Sequence, residues 1–390
     1  MTIRSLHGKF VFGVCRFCGI ENGKEIYPTW FGLTSQFPDG YVSSRLREFS
    51  AFYSNRLSYA GVAELLRRVC GDSVLSGAGI REIVAGKASE INRAIGKEVA
   101  DLLSDRKPSV FPVINAEVAV YDRKTEETLI FDDGIQVKKQ KTTRKKAADR
   151  PSENSTGEKR RKERINTDVI ILEKSEGGFD YMTALTDEKG DECVPLKDVV
   201  RSRLLREYGG RRNPLNIVAI TDGAKNIRLR LREIFGFPVT LILDWYHLCK
   251  KVREHMSMIS RNRDEKSAHM GFLIHHLWRG NTAEALNYMK SEIIPKNEKR
   301  LADLITYIEK HRHEIIDYEL RKSVGKTTGS GRVEKACDQV VGFRQKKKGM
   351  SWGKVGSRAL ATLKIAELNG RWDALWKITD RSEAANNCLC

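Results

Sequence analysis

The spacing of apolar residues in the first third of the chain predicts two helices. Apolar positions recur every three or four residues across 58–69 and again across 76–91, with a serine at the start of each run and a glycine between them. This pattern is typical of a helix-turn-helix, whose second helix enters a DNA major groove and would here present Arg81 and Lys87. A plain helical hairpin has the same pattern, so both interpretations stay open.

A mixed sheet is predicted between residues 109 and 244. The predicted elements are, in order, two β-like stretches at 113–121 and 128–131, a hairpin at 168–186, a helix at 196–208, a strand at 215–222, a helix at 224–235 and a strand at 239–244. The last two strands are apolar on both faces, as buried parallel strands are. Antiparallel strands, a helix and then a parallel strand–helix–strand unit are the order of a ribonuclease H-like α/β fold, which we predict here.

The pattern changes after residue 244. Residues 245–328 are rich in helical spacing and lack strand-like runs, which predicts an all-α insertion into the core. A glycine-rich turn then leads into a helix that carries Glu334. The predicted organisation is an N-terminal strand with a cysteine pair at 1–45, a helix-turn-helix region at 46–108, a first part of the core at 109–244, the insertion at 245–328, the return to the core at 329–376 and a tail at 377–390.

The charge of the chain indicates a polyanionic partner. The formal net charge is +18 over 390 residues, and phosphate neutralisation with release of counterions drives binding of basic proteins to nucleic acids. An anionic membrane surface would satisfy the same charge. However, no apolar run approaches the ~20 residues of a spanning helix and the N-terminus lacks a signal-peptide core, so we expect a soluble, intracellular protein without a membrane partner.

Basic residues are concentrated in one predicted loop. Residues 138–164 hold twelve lysines or arginines against four acids around a polar centre that cannot bury much. This segment is either a solvated linker or an arm that grips DNA phosphates. A second basic run follows Glu334, where a solvated helix face is the alternative. The predicted DNA-binding residues in these two places are Lys138, Lys139, Lys141, Arg344, Lys346, Lys347 and Lys348.

Three acidic residues stand where the predicted elements would bring them together. Asp133 ends the run 128–133, Asp222 ends a buried strand, and Glu334 opens a helix. Side chains at the carboxyl ends of strands lie at the open edge of an α/β sheet, where ligands bind. Each also has an ordinary alternative, since Asp222 could cap a helix and Glu334 could serve a helix dipole. Asp132 adjoins Asp133, and only one of the two can face inward.

Asp244 and His247 follow the next buried strand, three residues apart. The ordinary interpretation is a strand-to-helix junction that Asp244 caps. A functional interpretation makes both catalytic residues, with His247 organising the site or contacting DNA, because Mg²⁺ prefers oxygen ligands to imidazole.

Cys15 and Cys18 form a Cys-x-x-Cys pair near the N-terminus. Such a pair is half of a tetrahedral Zn²⁺ site, and no second pair follows within the N-terminal region. Two ordinary thiols and a zinc site completed by another residue both stay open. The eight cysteines are scattered too widely for a disulfide framework, so mostly reduced thiols are expected.

Several motifs together carry a family resemblance. They are the Asp133 segment with its Lys-Lys-Gln-Lys, Ile-Thr-Asp222-Gly-Ala, Leu-Asp244-Trp-Tyr-His247-Leu, Gly-Ser-Gly-Arg-Val-Glu334-Lys-Ala-Cys-Asp-Gln-Val-Val-Gly, Gly349-Met-Ser-Trp and Asn369-Gly-Arg-Trp-Asp-Ala-Leu-Trp. With these, residues 46–376 resemble a bacterial insertion-sequence transposase of the ISKra type. Such transposases have a ribonuclease H-like core with a helical insertion, and share a C/D-x-x-H motif with the Mutator and hAT groups. This chain departs from the family in one respect, since longer relatives carry a fuller zinc ribbon whereas this chain keeps only Cys15 and Cys18.

The resemblance implies a DDE transposase that cleaves DNA and transfers strands. It assigns Asp133, Asp222 and Glu334 as the metal-binding triad, and prefers Asp133 to Asp132 because the motif places the acid directly before a glycine. Two Mg²⁺ or Mn²⁺ ions held by carboxylates suit this chemistry. The implied partners are double-stranded DNA, as element ends and target, and further copies of the chain in a synaptic complex.

Two other functions fit the same sequence. A structure-specific nuclease could use this core to cut DNA without transferring strands. A non-catalytic regulator could bind DNA through the helix-turn-helix and the basic loop alone.

Overall fold

The computed structural model describes residues 2–11, 19–21, 24–26, 41–104, 110–141 and 163–377. The N-terminal part contains short strands β1 (Thr2–Ser5), β2 (Gly8–Val11), β3 (Gly19–Glu21), β4 (Lys24–Ile26) and β5 (Tyr41–Val42), followed by helices α1 (Ser44–Ser54), α2 (Tyr59–Cys70) and α3 (Gly77–Leu103). The two helices predicted here are confirmed, because the hydroxyls of Ser58 and Ser76 cap α2 and α3. Helix α3 is longer than predicted.

The central elements follow in chain order. They are β6 (Thr128–Lys138), β7 (Arg164–Glu173), β8 (Phe179–Met182), β9 (Leu185–Thr186), β10 (Glu192–Val194), α4 (Leu196–Tyr208), β11 (Ile217–Thr221), α5 (Lys225–Phe235) and β12 (Thr240–Leu243). Five of the strands form one sheet in the order β12-β11-β6-β7-β8. Strand β11 is parallel to β6 and β12, whereas β6–β7 and β7–β8 pair antiparallel. The predicted mixed α/β architecture is confirmed at this level.

Two sequence-based predictions about these strands were wrong. Residues 113–121 form no strand: Ile114 makes an isolated bridge to Leu215, just before β11, and the N–H of Val118 donates to the hydroxyl of Thr240 on β12. Strand β6 does not end near residue 133, because its pairing with β7 continues as far as Lys138 opposite Arg164. Asp132 and Asp133 therefore lie inside a strand rather than at its end.

The helical insertion and the return to the core complete the fold. The insertion contains α6 (Trp245–Ile259), α7 (Arg263–Trp278), α8 (Thr282–Ser291), α9 (Glu298–His311) and α10 (Tyr318–Ser323), and the return contains α11 (Gly331–Cys337), a π-helical turn (Asp338–Gly342), α12 (Phe343–Gln345), α13 (Lys354–Leu368) and α14 (Trp372–Trp376). The chain turns after His311, which ends α9, and Asp317 caps α10.

The sheet has a different partner on each face. Phe131, Val218 and Ile220 point into the larger core, which they share with the insertion helices and with α11 and α13. Ile130 and Ala219 point the other way, into a core that α4 and α5 cover. The alternation of side chains along a strand therefore decides which residues of β6 and β11 face the insertion.

Long-range polar contacts join the N-terminal helices to the end of the chain. Arg56, just after α1, contacts the carboxylate of Glu367 on α13, and the indole N–H of Trp372 donates to Glu48 of α1 over 2.7 Å. The N-terminal helices are therefore packed on the core. Within the described residues, none of the helices combines the length and apolar character needed to cross a bilayer.

Candidate functional site: three carboxylates at the sheet and insertion boundary

Asp133 and Asp222 lie side by side on the face of the sheet that the insertion covers. The parallel register pairs Ala219 of β11 with Ile130 of β6, and three residues further along both strands it brings Asp222 level with Asp133. Asp133 follows Phe131 by two positions and so shares its face. Asp222 is fixed beyond β11 by its Oδ1, which accepts a 2.8 Å hydrogen bond from the N–H of Ala224.

Glu334 reaches the same place from α11, which packs on β6 and β7. Burial is the main cause that raises the pKa of Asp133, and the charges of Asp222 and Glu334 raise it further. The N–H of Gly134 and the imidazole of His247 act in the opposite direction. The three carboxylates therefore lie close enough to repel one another.

Asp132 faces the opposite side of the sheet. It is 2% exposed and accepts hydrogen bonds of 2.7 and 3.0 Å from Nη1 of Arg230 on α5, whose Nη2 lies 2.9 Å from Asp168. Burial raises the pKa of Asp132 against the attraction of Arg230. Of the two neighbouring acids, Asp133 is the one that meets Asp222 and Glu334.

Asp244 joins three parts of the site. Its backbone N–H donates to Thr221 over 2.8 Å, directly before Asp222. Its side chain accepts from the N–H and the ring Nδ1 of His247, and from the N–H of Ser330 at the start of α11. Burial opposes ionisation, yet these hydrogen bonds hold the pKa of Asp244 below its usual value. Asp244 is 2% exposed, so it positions other groups and does not face the cleft.

His247 lies between Asp244 and the acidic cluster. Its Nδ1 is 3.0 Å from Asp244 Oδ1, and its Nε2 is 3.7 Å from Glu334 Oε1. The hydrogen bond to Asp244 is the main cause that raises the pKa of His247, and the charges of Glu334 and Asp222 add to it. These surroundings favour the positively charged form of the imidazole beside the carboxylates.

We expect the contribution of His247 to stability to depend on pH. Because its folded pKa is raised, the contribution is complete below the unfolded value of about 6.5 and is lost as the pH rises through the folded value. Urea unfolding should show a larger stability difference between the intact protein and His247→Gln at pH 6 than at pH 9. The exposed His313, changed in the same way, controls for the substitution itself. A difference that grows with pH would contradict this assignment.

Gly223 holds the turn that follows Asp222. Its φ is +83°, and an added Cβ would lie 2.5 Å from Cε1 of His311, a side chain that is 1% exposed and bound 2.7 Å from Glu314. Gly223→Ala should lower the free energy of unfolding by about 3 kcal/mol, through left-handed strain and a clash that His311 cannot relieve. Gly236→Ala has the same φ strain with no atom within 4 Å, so it should cost only about 1 kcal/mol. Equal losses would show that the contact with His311 is not tight.

The donor atoms suit a hard divalent cation. Among the described residues, no group of three or more His, Cys, Asp or Glu side chains already forms a compact metal-binding cluster. Yet three carboxylates converge here. Within the described residues, no lysine or arginine forms an ion pair with them, and the imidazole of His247 lies 3.7 Å from Glu334. Carboxylate oxygens are the ligands that Mg²⁺ and Mn²⁺ prefer. Asp133, Asp222 and Glu334 therefore fit such an ion by their chemistry.

The two predicted basic segments meet at the end of β6. The backbone N–H of Trp352 donates to the carbonyl of Lys138 over 2.9 Å, and the carbonyl of Trp352 accepts from the N–H of Gln140 over 2.8 Å. These two bonds join the end of β6 to the segment after α12. Lys138, Lys141, Lys346, Lys347 and Lys348 are exposed, while Lys139 is half-buried and 2.9 Å from Glu163. Residues 142–162 of the predicted basic loop lie outside the described residues.

Two predicted DNA-binding residues are corrected by their surroundings. Arg344 is 4% exposed, donates to Ser54 over 2.7 Å and packs over the ring of Trp352. The amine of Lys87 donates to Leu375 over 2.6 Å and has a side chain that is 10% exposed. Both residues serve packing, because their charged groups are directed to internal partners.

The remaining predicted residues have two different outcomes. Arg81 is exposed on the first turn of α3, as a DNA-contacting residue must be. Cys15 and Cys18 lie outside the described residues, so the predicted zinc site is neither placed nor tested.

Several residues that shape the site were not found from the sequence. Arg230 lies 98 residues from Asp132 along the chain, and Ser330 lies 86 residues from Asp244. Local periodicity carries no signal for such pairs. The positive φ after Asp222 did have a signal, the Asp-Gly dipeptide.

Comparison with models of known protein families gives no match, and comparison with curated proteins gives no significant match. What the chain does must therefore be inferred from the site itself.

Proposed function

We propose that this chain is a DDE transposase that cleaves DNA at the ends of an insertion sequence and transfers the cut strand to a target. The observation that carries the proposal is that Asp133, Asp222 and Glu334 lie close together. Asp133 lies on β6 and Asp222 directly follows the parallel strand β11, whereas Glu334 comes from α11, more than a hundred residues further along the chain. The proposed core is ribonuclease H-like, since the sheet order and the interrupting helices are compatible with it.

The proposed mechanism divides the work among residues of the cleft. Asp133, Asp222 and Glu334 would hold two Mg²⁺ or Mn²⁺ ions, whose chemistry is activation of the attacking oxygen and stabilisation of the leaving one. Water attack breaks one phosphodiester and frees a 3′-hydroxyl, which then attacks a target phosphodiester. His247 offsets the charge of Glu334 before the ions bind, and Asp244 keeps α11 against the strand that carries Asp222.

The proposed partners follow from charge. The exposed lysines at 138, 141 and 346–348 provide a surface for the phosphates of double-stranded DNA beside the carboxylates. Recognition of element ends is assigned to the α2–α3 pair with Arg81, and assembly to a synaptic homo-oligomer. The bacterial cytoplasm, at the nucleoid, is the proposed location.

A strand-transfer assay tests this function against its two alternatives. A labelled duplex from the DNA that flanks the coding sequence, already cut to expose its 3′-hydroxyl, is incubated with the protein, a supercoiled plasmid and Mg²⁺ or Mn²⁺. A transposase joins the label to the plasmid. A nuclease without strand transfer only shortens the duplex, and a non-catalytic regulator retains it in a gel shift without any product.

A further inference from the structure

The insertion contributes a wall of contacts around Asp222. Gly223, next in the chain, packs against the ring of His311 on α9, and the centroid of that ring is 4.5 Å from the ring of Tyr307. The Nζ of Lys251 on α6 lies 5.6 Å from the centroid of the Tyr307 ring. Lys251 is one turn beyond His247 and so shares its side of α6. The wall thus continues to His247, which meets Glu334.

Tyr307 and Lys251 have complementary properties at this wall. Burial, reinforced by the charge of Asp222, raises the pKa of Tyr307 to about 12, so its hydroxyl stays protonated. Both side chains are half-buried. No ion pair within the described residues involves Lys251, whose neighbour across the wall is an aromatic ring. A cation of this kind, on the same side of α6 as His247, has a geometry for an anionic group of the substrate.

We propose that Lys251 binds a backbone phosphate of the DNA strand that is cut, with Tyr307 beneath it as the support for its amine. This inference rests on the proposed function and makes the insertion part of the substrate-binding site. A phosphate in the cleft needs positive charge because the carboxylates repel it until they have bound cations, and Lys251 supplies that charge from the insertion side. Lys251 is thus a substrate-binding residue, and Tyr307 is a positioning residue.

The salt dependence of DNA binding tests this proposal directly. Binding of a labelled flanking duplex is measured in EDTA at several salt concentrations, and cleavage of the same duplex in Mn²⁺. Lys251→Met should weaken binding about tenfold and reduce the slope of log K against log salt by about 0.9, the value for one lost phosphate contact. Lys251→Arg should keep the slope.

Lys299→Met is the matched control. Lys299 is an exposed lysine at the start of α9. At this end α9 meets the last part of α6, where the ring of His255 forms a 3.0 Å hydrogen bond with the carbonyl of Arg300. It is therefore distant from Asp222 on the same pair of helices, and its loss should leave the slope unchanged. Urea unfolding verifies that each variant is folded, and Lys251→Gln replaces Lys251→Met if the latter is not.

The outcomes separate this inference from the proposed function. If the intact protein cuts the duplex and Lys251→Met has the same slope and affinity as Lys299→Met, the role of Lys251 is overturned and the proposed function is not. A reduced slope in Lys251→Met without any metal-dependent cleavage by the intact protein would support Lys251 and overturn the transposase. Absence of binding by the intact protein would overturn both.

Discussion

Asp133→Asn, Asp222→Asn and Glu334→Gln should each lower the rate of metal-dependent DNA cleavage by roughly 10³-fold or more. Each change keeps the shape of the side chain but removes one negative charge from the group of three carboxylates. DNA binding in EDTA should be equal or tighter, because the substitution removes repulsion of phosphate. Single-turnover cleavage of the flanking duplex in Mn²⁺ measures the effect.

Two aspartates provide controls for this prediction. Asp303→Asn changes a half-exposed residue on α9 whose ion-pair partner is Arg300, and this variant should cleave at the normal rate. Asp132→Asn should destabilise the protein by weakening the pair with Arg230, yet keep cleavage per folded molecule within a few-fold of normal. A cleavage loss in Asp132→Asn as large as in Asp133→Asn would contradict the choice between the two neighbours.

Arg321→Met should lower the free energy of unfolding by about 3–5 kcal/mol. Arg321 is fully buried and makes a bidentate ion pair of 2.7 and 2.9 Å with Glu127, just before β6. It also donates to Thr327 over 2.7 Å, in the turn that leads to α11. Its loss leaves a buried carboxylate with Lys326 as its remaining cation, so cleavage by the folded fraction should fall as well.

Arg279→Met is the matched control for Arg321→Met. Arg279 pairs with Glu319 over 2.8 Å on the surface, with both side chains about half exposed, and its loss should cost under about 1 kcal/mol. Combining Arg321→Met with Glu127→Leu should restore part of the stability, because the buried carboxylate is then removed and the amine of Lys326 keeps its 3.3 Å hydrogen bond to Ala119. Urea midpoints equal for the two single variants would show that the buried pair has no special role.

The elements of the core could be predicted because their patterns are local. Helix α4 begins and ends where the apolar spacing indicated, at Leu196–Tyr208. The end of β6 could not be predicted, since only pairing with β7 extends it past Asp133.

The supports of the acidic residues could not be predicted from the sequence. Asp222 follows a buried strand and Glu334 lies in the first turn of a helix, so the predicted elements brought both under consideration, whereas Asp133 lies inside β6 and not at its end. Arg344 and Lys87 were misjudged because the sequence around a charged residue carries no local sign that its side chain is buried. Their partners, Ser54 and Leu375, lie almost three hundred residues away in the sequence.

Diffraction from crystals soaked in Mn²⁺, recorded near the manganese absorption edge, tests the central claim most directly. We expect anomalous peaks in contact with oxygens of Asp133, Asp222 and Glu334, and loss of those peaks in Asp222→Asn. Peaks that arise only elsewhere, or the same peaks in Asp222→Asn as in the intact protein, would contradict a catalytic metal site built from these three carboxylates.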